Sequence, residues 1–155
     1  MEDRIQDLWG SSAADVWAAG ENGFSYQHGR IWHFDGAAWS EVSQSSSEPL
    51  TALWGTAHDD IWAFGGHTFL HYKNKTWSED FSIGLPSMRE AWGISGQVWA
   101  VGEDSLGKTA VMMHYNGAAW SPVALPTANK LYGIWGTSAC DIWVVGEQGT
   151  ILHYH

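Results

Sequence analysis

Hydrophobic and polar positions alternate in short segments along nearly the whole chain. The apolar segments are rich in tryptophan, tyrosine and β-branched residues, as in DIWVVG at 141–146, and Gly, Ser or Asp separates them. Alternation with a period of two is typical of β-strands, whereas an amphipathic helix repeats every 3.6 residues. No segment has the helical period over a helix-sized length. The pattern therefore predicts an all-β protein made of many short strands.

One unit recurs four times: a Trp-Gly pair, a turn, an apolar segment containing a second Trp, and a strand with a His-Tyr or His-Phe pair. The Trp-Gly pairs start about 40 residues apart, at Trp9, Trp54, Trp92 and Trp135. In the first three copies a tight turn leads to a further strand, which contains Trp39, Trp77 or Trp120. Units of four antiparallel strands repeated in this way predict the blades of a β-propeller.

The fourth copy ends before its last strand. We expect blades at 5–49, 50–88 and 89–130, and an incomplete one at 131–155. About three and three-quarter blades would leave open strand edges. The chain is then either a fragment of a longer ring, or two copies close a ring of about seven or eight blades. The homodimer is the favoured interpretation, because Met1 stands just before a first strand.

Four segments have nearly the same sequence, and three further segments join them. The four are 9–20, 54–65, 92–102 and 135–146, and the joining segments are 33–39, 71–77 and 114–120. Together they resemble the bacterial Trp-rich propeller repeats of the form WGTSxxDVWAVGxxGTILHYDGxxWSxV. They are also distantly similar to the photosystem II assembly-factor and Asp-box propeller families. The resemblance implies a β-propeller and leaves the function open, since propellers support binding, scaffolding and hydrolysis.

Charge and cysteine content narrow the classes of partner. The net charge is -10, from 7 Lys and Arg against 17 Asp and Glu, which disfavours a nucleic-acid partner. Cys140 is the single cysteine, so no intrachain disulfide can form. The sequence has neither a signal peptide nor a run of about 18 apolar residues, so we expect no membrane partner. The default location is cytoplasmic, with secretion open if the chain is a fragment.

Each copy carries a histidine at the same point of its third strand: His33, His71, His114 and His153. The favoured interpretation is a structural hydrogen bond, for example to Asp15, Asp60 or Asp141. Residues that differ between copies are better candidates for chemistry. His58, Asp59 and Cys140 depart from the pattern in the first turn of their copies, where a histidine base could activate a thiol.

Two further sets of residues are candidates for binding. Histidines paired on strands, and carboxylates on first strands, are candidate ligands for Zn²⁺, Ca²⁺ or Mg²⁺, although no feature requires a cofactor. These are His67, His71, His153, His155, Asp7 and Glu90. Longer connections at 21–30 and 103–110, together with a first-strand tyrosine, are candidates for ligand binding. The residues are Tyr26, His28, Arg30 and Tyr132.

These observations favour a binding or assembly module in which exposed Trp and Tyr engage a glycan or a protein loop. The alternative is a metal-dependent hydrolase of esters or phosphoesters, with a His and carboxylate site at the ring axis or the subunit interface. The ligand is a small molecule, a glycan or a protein, and whether the protein is an enzyme stays open.

Overall fold

The computed structural model describes residues 3–23, 28–80 and 86–155, with the backbone alone at 43–45. These ranges form fifteen strands in four sheets. The first two sheets contain β1 (Arg4–Ser12), β2 (Asp15–Glu21), β3 (Gly29–Phe34), β4 (Trp39–Ser46), β5 (Ala52–Ala57), β6 (Asp60–Gly65), β7 (Thr68–Lys73) and β8 (Thr76–Glu79). The other two contain β9 (Ser87–Ile94), β10 (Gln97–Glu103), β11 (Ala110–Tyr115), β12 (Trp120–Val123), β13 (Leu131–Ser138), β14 (Asp141–Gly146) and β15 (Ile151–Tyr154).

Every sheet is an antiparallel meander whose strands pair in chain order. The first strands of the four sheets, β1, β5, β9 and β13, lie next to one another, so they form the inner strands around a common axis. Three sheets have four strands and the last has three, as the sequence predicts. The protein is therefore an all-β propeller of four-stranded blades with an incomplete fourth blade. A 3₁₀ turn at Glu147–Gly149 is the only helical element described, and no described helix could cross a bilayer.

Tight turns between third and fourth strands follow from local sequence. Asp35 Oδ1 accepts hydrogen bonds from the backbone amides of Ala37 and Ala38, at 2.9 and 3.0 Å. Gly36 has a φ of 93°, which a glycine adopts without strain. Asn116 and Gly117 repeat the arrangement in the third sheet. The Asp-Gly and Asn-Gly pairs therefore fix the register of their hairpins.

Adjacent sheets pack face to face through apolar side chains. Between the first two sheets, Trp17, Ala19 and Ile31 of one contact a second set from the other, which includes Leu50 and Leu53. Equivalent residues fill the next two interfaces. The core is thus a series of three similar seams, each formed by the rear of one sheet and the front of the next.

The Trp-Gly pairs form the inner part of each seam. A Cβ atom on Gly55 would lie 2.5 Å from the ring of Trp9, and one on Gly136 would lie 3.0 Å from the ring of Trp92. At the seam between them, Trp54 Nε1 donates to the carbonyl oxygen of Gly93 at 3.0 Å. From the second sheet onward, the glycine of each pair is therefore the surface on which the tryptophan of the preceding sheet rests.

We expect Gly55→Ala to destabilise the fold by about 1–3 kcal/mol, because the methyl group would collide with the Trp9 ring. Urea unfolding monitored by tryptophan fluorescence measures the loss. Gly133→Ala is the matched control, because Ala52 already occupies the equivalent position of β5 and the nearest atom is a Val145 methyl at 3.1 Å. Equal losses in the two variants would contradict the role assigned to the seam.

Candidate functional site

The repeated histidines take part in one network per sheet. In the second sheet, His71 stacks on Trp62 with ring centroids 3.9 Å apart, and its Nε2 lies 2.7 Å from Asp60 Oδ1. The first and fourth sheets repeat the pairing, as His33 with Asp15 at 2.7 Å and His153 with Asp141 at 2.8 Å. In the third sheet Gln97 takes the acidic position, 3.0 Å from His114. The predicted structural hydrogen bonds to Asp15, Asp60 and Asp141 are confirmed.

Burial and hydrogen bonding set the ionisation of these networks. Burial lowers the pKa of His71, against the opposing effect of Asp60. Burial by itself would raise the pKa of Asp15, but hydrogen bonds from Ser11 and His33 hold that pKa below its ordinary value. Hydrogen bonds from Thr137 and then His153 lower the pKa of Asp141. Each histidine nitrogen bound in this way is occupied in linking two strands.

The candidate catalytic residues lie in separate blades. His58 and Asp59 lie in the turn between β5 and β6, with His58 Nδ1 3.8 Å from Asp59 Oδ1. Cys140 lies in the turn between β13 and β14, where its thiol is free and exposed. The third sheet separates the two turns. Among the described residues, no hydrogen bond or ion pair joins Cys140 to His58.

The candidate histidine ligands are only partly brought together. The ring centroids of His153 and His155 are 5.3 Å apart, but His153 Nε2 is bound to Asp141. His67 lies in the turn before β7, where its backbone amide donates to the Glu48 carboxylate, and His71 is held by Asp60. Within the described ranges, no group of three or more His, Cys, Asp or Glu side chains has the arrangement of a metal site.

The candidate ligand-binding residues are dispersed. Tyr26 lies outside the described residues. The backbone amide of His28 donates to Asn22 Oδ1 at 3.1 Å, and Arg30 pairs with Glu41 across the first sheet. Tyr132, in contrast, lies on inner strand β13 near the axis. The structure therefore separates Tyr132 from the loop residues with which the sequence grouped it.

Inner strands carry an extra residue at the same point in three sheets. Ile5 pairs with Gly20 and Asp7 with Ala19, so Gln6 is the additional residue of a β-bulge. Arg89 and Tyr132 occupy the corresponding bulges of β9 and β13. Bulges redirect side chains and are frequent beside functional sites. The copies thus share a local distortion near the axis and differ in the side chain placed there.

We call Asp7, Arg89, Glu90 and Tyr132 the axial cluster. Arg89 Nη2 lies 2.7 Å from Glu103 Oε1, and the Arg89 guanidinium lies over the Tyr132 ring, 5.5 Å from its centroid. The Tyr132 hydroxyl donates to Glu147 Oε1 at 2.6 Å. Arg89 and Tyr132 are therefore held in place by partners on the second strands of their sheets or just beyond them.

Glu103, Lys130 and Glu147 support the cluster and were not among the residues singled out from the sequence. Lys130 Nζ lies 3.0 Å from Glu103 Oε2, which links the third and fourth sheets. Hydrogen bonding from Lys130 is the main cause of the lowered pKa of Glu103. Glu103 and Glu147 each follow the glycine near the end of a second strand, as Glu21 does in the first sheet. That repeated Gly-Glu step is the signal that could have found them.

The two acidic members of the cluster lack a cation. Asp7 Oδ2 accepts from the Leu53 amide at 2.7 Å, and Glu90 Oε1 accepts from the Ala91 amide at 3.1 Å. Burial raises the pKa of both carboxyl groups, and the charge of Asp7 raises that of Glu90 further. Neither group forms an ion pair with any other described residue. Near the axis, these two carboxylates therefore carry negative charge that no described residue neutralises through an ion pair.

The four meander sheets around a common axis define a β-propeller, and the fold of one solved structure agrees. YCF48 from Cyanidioschyzon merolae is similar, with a TM-score of 0.68 and 16% identity over 97% of this chain. The chain spans about half the length of that protein, 50% of which is covered. A structure titled "YCF48 bound to D1 peptide" aligns over 97% of this chain and 63% of its own, with 15% identity and a TM-score of 0.49. No family model and no curated protein sequence matches the chain.

We expect Asp60→Asn to lower the pKa of His71 further, because the carboxylate that favours the charged imidazole is lost while burial remains. An NMR titration of the His71 ring protons measures the change. Asp59→Asn is the control, since Asp59 faces His58 rather than His71. A His71 pKa that does not change in Asp60→Asn would contradict the assigned network.

We expect Glu90→Gln to stabilise the fold above the ordinary pKa of a glutamate and to have little effect at about pH 3. Because burial raises the pKa of Glu90, the folded chain binds the Glu90 proton more tightly than the unfolded chain does. The stability of the unaltered protein therefore falls as the pH rises above the ordinary pKa of a glutamate. Urea unfolding at a series of pH values measures the difference.

Asp35→Asn is the control, because the stability contribution of Asp35 should depend on pH in the opposite direction. Backbone hydrogen bonds, first from Ala38, lower the pKa of Asp35, so its contribution is present at neutral pH and is lost as pH falls. Asn116 fills the equivalent turn position, so the substitution keeps the turn. A Glu90→Gln variant that follows the pH dependence of Asp35→Asn would contradict the account of the axis.

Proposed function

We propose that this chain is a propeller binding module whose axial cluster receives a cationic side chain of a protein ligand. The observation that carries the proposal is the pair of half-buried carboxylates, Asp7 and Glu90, with raised pKa values and no cation among the described residues. A lysine or arginine placed between them would relieve the unfavourable burial of charge.

Small residues occupy the equivalent position on the other two inner strands. Counted back from the Trp-Gly pair, the same position is Asp7 in the first sheet, Ala52 in the second, Glu90 in the third and Gly133 in the fourth. Acidic and small residues therefore alternate around the axis. A net charge of -10 also favours encounter with a cationic partner.

A protein ligand is favoured over a glycan because of where the exposed tryptophans lie. Trp39, Trp135 and Trp143 belong to the outer faces of the first and last sheets, at positions that pack between sheets elsewhere. Their exposure is therefore explained by blade packing. Near the axis the exposed aromatic residue is Tyr132, which is occupied by Arg89 and Glu147.

Other expectations from the sequence stay predictions. They are the blade boundaries after 49, 88 and 130, a rim formed by His28 and Arg30, the cytoplasmic location and the bacterial source. A homodimer that completes the ring is a separate proposal, and the binding function does not require it. No observation among the described residues favours the metal-dependent hydrolase.

The test uses fluorescently labelled peptides that carry one central arginine, each compared with the same peptide carrying citrulline, which has nearly the same shape and no charge. We expect arginine peptides to bind at least about tenfold more tightly, equivalent to about 1.4 kcal/mol. Asp7→Asn and Glu90→Gln should each remove most of that preference. Fluorescence anisotropy at low ionic strength measures the dissociation constants.

Asp35→Asn removes one exposed carboxylate away from the axis and should keep the preference. Equal loss in Asp35→Asn would mean that net charge, not the axial pair, attracts the peptide. Equal affinity for arginine and citrulline peptides throughout the set would contradict the proposed function.

A further inference from the structure

Two sheet faces at opposite ends of the blade series are not packed against another described sheet. The C-terminal face consists of Trp135, Trp143, Val145 and Ile151 of the fourth sheet, all exposed. The N-terminal face consists of Ile5, Leu8, Ala18, Trp32 and Trp39 of the first sheet. Those five, with Asp3, line a groove of ≈ 560 Å³. Both faces are apolar.

Three residues of the C-terminal face, Trp143, Val145 and Ile151, repeat positions that are buried in every other sheet, and Trp135 repeats a position that is buried or half-buried in the others. Trp143 is 42% exposed, whereas its counterpart Trp17 is 4% exposed. Ile151 is 66% exposed, and its counterpart Ile31 is 0% exposed. The register makes the pairs equivalent, since Ile151 pairs with Val145 as Ile31 pairs with Ala19. In the three seams these positions are covered by the front of the next sheet.

The N-terminal face repeats the complementary set. Leu8 is 64% exposed, whereas Leu53, at the same position before the Trp-Gly pair, is 1% exposed. Ile5 is likewise exposed, and its counterparts Leu50, Met88 and Leu131 are buried. In the seams these positions are covered by the rear of the preceding sheet. Each exposed face therefore has the composition that its missing neighbour would require.

The Trp-Gly contacts show the same complementarity in detail. The three atoms nearest to a Cβ on Gly10 belong to its own hairpin, to Ser12, Asp15 and Val16, whereas those nearest to a Cβ on Gly55 belong to the Trp9 ring. In the Trp9-Gly10 pair, the glycine thus has no tryptophan of another sheet resting on it. In the Trp135-Gly136 pair, the tryptophan has no glycine of a following sheet beneath it, and it is exposed.

We propose that a second copy of this chain occupies both faces, so that Trp135 of each copy rests on Gly10 of the other. The three internal seams are the template, because they join the same two sets of positions. Two such contacts related by a twofold axis close a ring of eight sheets. This inference rests on the proposed function in one respect, because the second copy brings its own Asp7 and Glu90 to the shared axis. The cation site is then shared by two chains.

Complementation between two variants tests the interface. Ile151→Glu places a charge on the C-terminal face alone, and Leu8→Glu places one on the N-terminal face alone. In sedimentation velocity at micromolar concentration, we expect the unaltered chain to be a dimer. Each variant should raise the dissociation constant of the dimer by about 100-fold or more, because both seams of a homodimer then bury an unpaired charge.

Mixing the two variants should restore dimers, because the mixed dimer contains one seam free of both substitutions. That seam joins the C-terminal face of the Leu8→Glu chain to the N-terminal face of the Ile151→Glu chain. Leu106→Glu, at a residue 72% exposed in the third sheet's loop, is the control and should leave the dimer intact. Near-UV circular dichroism checks folding, and Val145→Glu replaces Ile151→Glu if that variant does not fold.

An unaltered chain that stays monomeric would overturn the inference, as would variants that still dimerise or a mixture that does not. Assemblies that keep growing with concentration would overturn ring closure. The peptide measurement separates this inference from the proposed function. A monomeric chain that prefers arginine peptides would contradict the closed ring alone. A dimer without that preference would contradict the binding function alone.

Discussion

The contact of a tryptophan with the glycine of the next sheet is the constraint on which the structure depends. The ring of Trp9 lies so close to Gly55 that no side chain fits between them, and Trp92 lies similarly over Gly136. A sheet that both rests on one neighbour and supports another needs both residues, side by side on its inner strand. The second and third sheets therefore use the Trp-Gly pair twice, once as tryptophan and once as glycine, whereas the first sheet uses only the tryptophan and the fourth only the glycine.

Positions that make this contact cannot vary, so differences between copies collect elsewhere. Near the axis the bulge positions hold Gln6, Arg89 and Tyr132, and the neighbouring positions hold Asp7 or Glu90. These side chains lie beside the seams without filling them. The charges of Asp7 and Glu90 are not balanced by an ion pair with any described residue, and burial makes that imbalance costly. The axis is thus the part of this scaffold that is free to differ and chemically suited to bind.

Much of the fold could be predicted from the sequence, because each blade is a local unit. The spacing of the Trp-Gly pairs predicts the blades and the three-stranded last sheet, and the histidine repeated in each third strand predicts the bonds to Asp15, Asp60 and Asp141. The site was less predictable because its contacts are not local. The ion pair of Lys130 with Glu103 joins two neighbouring sheets, and Arg89, which lies at a bulge, contacts Tyr132 of the next sheet. Alternation along a strand reports neither a bulge nor a neighbouring sheet.

A crystal structure of the concentrated protein is the most direct test, because the closed ring requires a defined position for the Trp135 ring. If the seam is used between chains as it is within one, the Trp135 ring is buried on Gly10 of a second copy. Its Nε1 then donates to that Gly10 carbonyl oxygen at about the 3.0 Å found between Trp54 and Gly93. A structure in which Trp135 faces solvent, or contacts another surface of the second copy, would contradict the closed ring.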